Sequence, residues 1–137
     1  MRFMIIVKAT ADSEAGVMPA EPLLQEMASF HEELAKAGVL LDGSGLKPSS
    51  AGWRVRYRDG KRQLIDGPFA ETKELIAGYT LIQVRSRDEA IEWARRFPAP
   101  MGPLADAEIE VRPLFELEDF APSPSIERLR EMEAGRR

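Results

Sequence analysis

A chain of 137 residues, 44% of them apolar, is long enough to bury a core as one folded domain without a disulfide or metal to hold it together. It contains no cysteine, which excludes disulfides, thiolate catalysis, zinc–thiolate sites and iron–sulfur clusters. A formal net charge of −4 argues against nonspecific nucleic-acid binding, which needs many phosphate-neutralising groups.

Arg2–Lys8 reads as a strand with apolar residues on both faces, suited to the centre of a sheet. It is too short for a signal peptide and no cleavage site follows it. No stretch approaches the roughly 18 apolar residues of a membrane span. The expected location is therefore cytoplasmic. Thr10–Pro19 reads as a loop. Pro22 suits the first turn of a helix. Leu23, Leu24, Met27, Phe30, Leu34 and Ala35 then recur at helical spacing, and Gly38 can end that helix. Val39–Asp42 reads as a short strand followed by a Gly-Ser-Gly loop.

Trp53, Val55 and Tyr57 alternate with Arg54, Arg56 and Arg58, which is strand periodicity with one basic face. Asp59-Gly60 is a two-residue hairpin signal, and Lys61–Ile65 is the return strand. Asp66-Gly67-Pro68 breaks that strand, and Phe69–Leu75 holds a turn or short helix. Gly78–Val84 is a further strand. Ser86 and Glu89 have capping-box spacing ahead of a helix carrying Ala90, Ile91, Ala94 and Phe97. After a loop from Pro98, Glu108–Pro113 is the last strand. Residues 1–120 form the domain. Residues 121–137 form a charged helical tail beginning at a proline-rich boundary.

The order strand, helix, strand, hairpin, strand, helix, strand fits an α+β, ferredoxin-like split βαβ plan with an inserted hairpin. Both helices then lie on one face of the sheet. The other face, with residues such as Phe3 or Met4, is left bare, and a bare apolar face calls for a partner. A homodimer is the expectation.

Residues 1–120 resemble the DGPF branch of the YCII-related family. The resemblance is carried by Asp66-Gly67-Pro68-Phe69-Ala70-Glu71-Thr72-Lys73-Glu74 and by Gly78-Tyr79 after it, with support from Met1–Thr10, residues 37–41, residues 89–93 and Glu110–Pro113. It implies a dimeric α+β barrel type of assembly and no established reaction. Some members are linked to extracytoplasmic-type sigma factors, which implies an accessory or regulatory setting. Shorter members of the family carry a His and an Asp as an acid–base pair. Those places fall at Met27 and Phe97 here, and neither side chain moves protons.

His31, the single histidine, lies one turn beyond Met27. It is the candidate proton carrier if the protein is an enzyme, with Asp66 or Glu71 to orient its ring. The plainer reading makes it a helix residue bonded to a neighbour. Asp66 is the other candidate catalytic group, and its plainer reading is a carboxylate bonded to backbone N–H groups of its own turn. Asp66, Phe69, Glu71, Thr72 and Lys73 are candidate pocket residues for a small ligand. The hairpin cations read as a solvated strand face. No phosphate loop, dinucleotide fingerprint or histidine-based metal spacing occurs, so no cofactor or metal is expected. The sequence leaves two readings open: a dimeric small-molecule-binding or accessory module, and an acid–base enzyme with a cleft near His31 and the Asp66 turn.

Overall fold

A computed structural model of the chain describes residues 1–136. Strands β1 (Arg2–Lys8), β2 (Leu40–Gly45), β5 (Ile76–Gln83) and β6 (Ile109–Pro113) form one sheet in the order β2-β5-β1-β6. Every neighbouring pair is antiparallel. Strands β3 (Trp53–Arg58) and β4 (Lys61–Asp66) form a separate two-stranded sheet. The helices are α1 (Ala11–Glu14), α2 (Glu21–Lys36), α3 (Arg87–Arg95) and α4 (Pro124–Gly135). This is the α+β, split βαβ arrangement with a hairpin inserted between β2 and β5.

The core lies between the sheet and helices α2 and α3. Phe3 and Ile5 of β1 and Ile82 of β5 pack with Phe30 and Leu34 of α2 and with Ala90 and Trp93 of α3. Alternation along β1 therefore puts Phe3 on the helix side and leaves Met4 and Ile6 on the other. Phe3 does not belong to the bare face. An all-apolar strand has no periodicity to show which face meets the helices; α2 and α3 decide it.

Register defines the open face. Opposed residues in a sheet share a side, so Asp42, Leu81, Met4 and Arg112 make one row, and Ser44, Tyr79, Ile6 and Glu110 the next. Met4, Ile6, Tyr79 and Leu81 are only partly buried.

Local signals behave as their chemistry requires. Ser86 Oγ accepts the Glu89 N–H at the start of α3, although the Glu89 carboxylate takes the Arg85 N–H instead of closing the box on Ser86. Asp59 and Gly60 both adopt positive φ, as a type I′ turn demands. Gly38 has φ +73° just past the end of α2, a conformation that disfavours any residue with a Cβ.

Two segments differ from their sequence reading. The stretch after Thr10 is not all loop: α1 forms there, with the Thr10 hydroxyl accepting from Ser13 N–H and the Ser13 hydroxyl accepting from Thr10 N–H. Strand β2 continues through Gly43-Ser44-Gly45 instead of ending at Asp42. Its glycines suit a close approach: a Cβ on Gly43 would lie 3.3 Å from His31 Nε2.

Candidate functional site

Helix α2 aims His31 at the sheet. Its ring packs edge-on to Phe30 and Phe97, with centroids 5.7 and 6.5 Å away. Nδ1 lies 2.7 Å from the Met27 carbonyl oxygen, and Nε2 lies 2.9 Å from Thr80 Oγ1. A carbonyl oxygen only accepts, so Nδ1 carries a hydrogen. In the neutral ring Nε2 then accepts from the Thr80 hydroxyl. Thr80 is 2% exposed, and its hydroxyl needs such a partner. The imidazole thus links helix α2 to strand β5. Met27 and Thr80 orient it; among the described residues neither Asp66, Glu71 nor any other carboxylate bonds to it.

The Asp66 turn is held differently from the sequence reading. Asp66 ends β4 opposite Trp53 and is exposed. Among the described residues its carboxylate caps no N–H group. The organising carboxylate is Glu14, 35 residues before Ser49. Its oxygens accept the Ser49 N–H at 3.0 and 3.3 Å and the Ser49 hydroxyl at 2.5 Å. Ser49 Oγ in turn accepts the Phe69 N–H at 3.0 Å, and the Gly67 N–H donates to the Gly52 carbonyl. The Gly67–Pro68 peptide is cis. Glu71, Thr72 and Lys73 form a short 3₁₀ turn and the residue ahead of it.

A cleft of about 310 Å³ opens beside this network. Its lining is apolar at Leu46, Leu75 and Ile76, aromatic at Trp53 and Phe69, and polar at Arg54, Lys47, Ser49, Glu14 and Glu74, the Glu14 carboxylate being engaged by Ser49. That volume is at the small end of ligand sites. The Arg54 guanidinium lies 3.8 Å from the centre of the Phe69 ring. Neither Arg54 nor Lys47 forms an ion pair among the described residues. Of the five candidate pocket residues, only Phe69 lines this cleft. A second, broader hollow of about 690 Å³ lies between α2 and the segment that follows α3. It is bordered by Glu26, Glu33 and Arg96, and Arg96 stacks on Trp93 at 3.9 Å. His31 and Asp66 line neither cavity.

A further polar pair lies on the open sheet face. The Tyr79 hydroxyl donates to Asp42 Oδ2 at 2.8 Å. That hydrogen bond first, and the negative charge of Asp42 second, raise the phenol's pKa above its ordinary value. No group of three metal-ligating side chains occurs among the described residues, and no helix there is long and apolar enough to cross a membrane.

Sequence reading missed Glu14, Ser49 and Asp42 altogether. Glu14 sits in a stretch read as loop, and its partner is far along the chain, so no local spacing announces the pair. Arg54 was visible as one cation of a basic strand. Its position beside Phe69, in the wall of the cleft, depends on how the turn folds back.

Residues 1–118 match the YCII-related domain. An uncharacterized protein of Rhizobium meliloti (strain 1021) is 36% identical over 75 residues, which cover 55% of this chain and 60% of that protein. The chain thus spans less than two thirds of that relative's length. With the matching domain covering most of its residues, the chain belongs to the YCII-related family.

Proposed function

We propose that this protein is a homodimeric module of the DGPF branch that binds a small anionic molecule in the cleft beside the Asp66–Phe69 turn and serves an accessory or regulatory role. The observation that carries the ligand reading is Arg54 stacked on Phe69 in the wall of that cleft. Stacking uses the face of the guanidinium and leaves its N–H edge free to fork onto a carboxylate or phosphate. Leu46, Leu75, Ile76 and Trp53 offer an apolar bed for the rest of the molecule. The dimer reading is supported by the open sheet face, where Met4, Ile6 and Leu81 lie on the side away from helices α2 and α3. The sigma-factor link implied by the resemblance is consistent with an accessory role. The acid–base alternative rests on His31, and both of its ring nitrogens are engaged by Met27 and Thr80.

Native mass spectrometry of the purified protein, followed by identification of any released small molecule, tests the reading. An anionic adduct present in the wild type and lost in Arg54→Ala supports it. An Arg54→Lys variant should not restore binding, because an ammonium lacks the planar fork. A bound molecule that survives Arg54→Ala unchanged places the site elsewhere.

A further inference from the structure

The β3–β4 hairpin is an arm with one apolar face. Trp53, Val55 and Tyr57 alternate onto that face, and Leu64 is directly opposite Val55. Their exposures are 64%, 42%, 69% and 61%. Neither strand pairs with the main sheet. An isolated hairpin is at best marginally stable in water, and a contiguous apolar patch of this kind marks a contact surface. The arm also carries net positive charge: residues 53–66 hold five cations against two carboxylates, with Arg62 opposite Tyr57 on the apolar side and the other four cations on the reverse side.

The C-terminal segment has the complementary properties. Helix α4 has no buried residue, and its Leu129 and Met132 are 46% and 57% exposed. Residues 114–136 carry six carboxylates against three arginines. The helix is tethered locally: Arg130 reaches Glu118, and Glu116 is held by Arg2 at 2.8 Å.

Topology separates the points at which these two segments leave the sheet. The hairpin leaves the sheet at the end of β2, where Gly45, Gly78, Val7 and Ile109 are aligned. The tail leaves at the end of β6, where Pro113, Phe3, Ile82 and Leu40 are aligned. Strands β2 and β6 are the two outer strands, so the departure points are diagonal corners of the sheet, roughly 20 Å apart from ordinary strand dimensions. A two-fold axis along the other diagonal, between two stacked open faces, exchanges those corners and crosses the strands near a right angle, one of the preferred ways for sheets to pack. Each hairpin then leaves its sheet over the corner at which the other copy's tail leaves, and this juxtaposition occurs twice.

We propose that the apolar face of the hairpin beyond Trp53, formed by Val55, Tyr57 and Leu64, is covered by helix α4 of a second copy of this chain, with the net positive arm and the net negative tail attracting one another. The inference rests on the homodimer proposed above. The absence of native cysteine makes it directly testable in the full-length protein. Val55→Cys and Met132→Cys are both at exposed positions where the change should be tolerated. Treated with a short bismaleimide crosslinker, the V55C/M132C double variant should shift to dimer mobility on a denaturing gel, while each single variant stays at monomer mobility. Light scattering on the same samples reports the oligomeric state. A dimer that does not crosslink, or one in which a single variant links as well as the double, overturns the hairpin–tail contact and leaves the homodimer standing. An intrachain crosslink, seen as an altered monomer band, also overturns it. A monomer removes both.

Discussion

The carbonyl oxygen of Ser49 occupies the space a side chain on Gly67 would need: a Cβ built there would lie 1.9 Å from it and 2.7 Å from the Ser49 carbonyl carbon. The obstacle is backbone, so it cannot turn aside as the end of a side chain can. The φ of Gly67 is not in the left-handed region, and the requirement for glycine is one of close approach.

Gly67→Ala should therefore already be costly, and Gly67→Val more so. Overpacking of this kind costs about 1–3 kcal/mol, occasionally more. Chemical denaturation of the variants measures it. An Ala variant as stable as wild type would mean that the 49–52 segment moves away freely.

The His31–Thr80 link predicts coupling between the two positions. His31→Leu leaves the buried Thr80 hydroxyl without its partner, at a cost of about 1–3 kcal/mol. Thr80→Val in the same chain removes the orphaned group. The double variant should then lose less than the sum of the two single losses. Additive losses in a double-mutant cycle would show that the hydrogen bond contributes nothing of its own.

Tyr79 should ionise above the ordinary tyrosine range, and Asp42→Asn should bring its midpoint back down. Ultraviolet titration in a Tyr57→Phe background isolates the signal, since the chain has two tyrosines. The linkage has a definite sign. A phenol whose pKa is raised by folding contributes stability that is complete below the unfolded value of about 10 and is lost as pH rises through the folded value. An unchanged midpoint in Asp42→Asn would remove Asp42 as the cause.

Truncation after Phe120 should leave the domain able to melt cooperatively, because α4 contributes no buried residue. Circular dichroism through a thermal ramp checks this. Loss of the cooperative transition would mean that the tail is part of the folding unit.

Much of the fold was legible because its signals are local. The Asp59-Gly60 turn follows from two adjacent residues that tolerate positive φ. The start of α3 follows from a serine three residues ahead of a glutamate. The stripe Leu23, Met27, Phe30, Leu34 names the inner face of α2, although Leu24 and Ala35, counted with it, proved exposed. The candidate site was less legible. Phe69 was found, whereas Glu14, which holds Ser49 and through it the Phe69 N–H, lies in a stretch with no apolar period to read.

What the sequence alone determined was the main strands and helices other than α1, their order and the hairpin insertion, since turn chemistry and periodicity act over a few residues. Only the tertiary structure decided which side of β1 meets the helices, that His31 bonds to Thr80 and not to a carboxylate, and that Gly67 is required by the Ser49 carbonyl. Each of these depends on atoms brought together from distant parts of the chain. Local spacing carries no record of such contacts; packing and strand register create them.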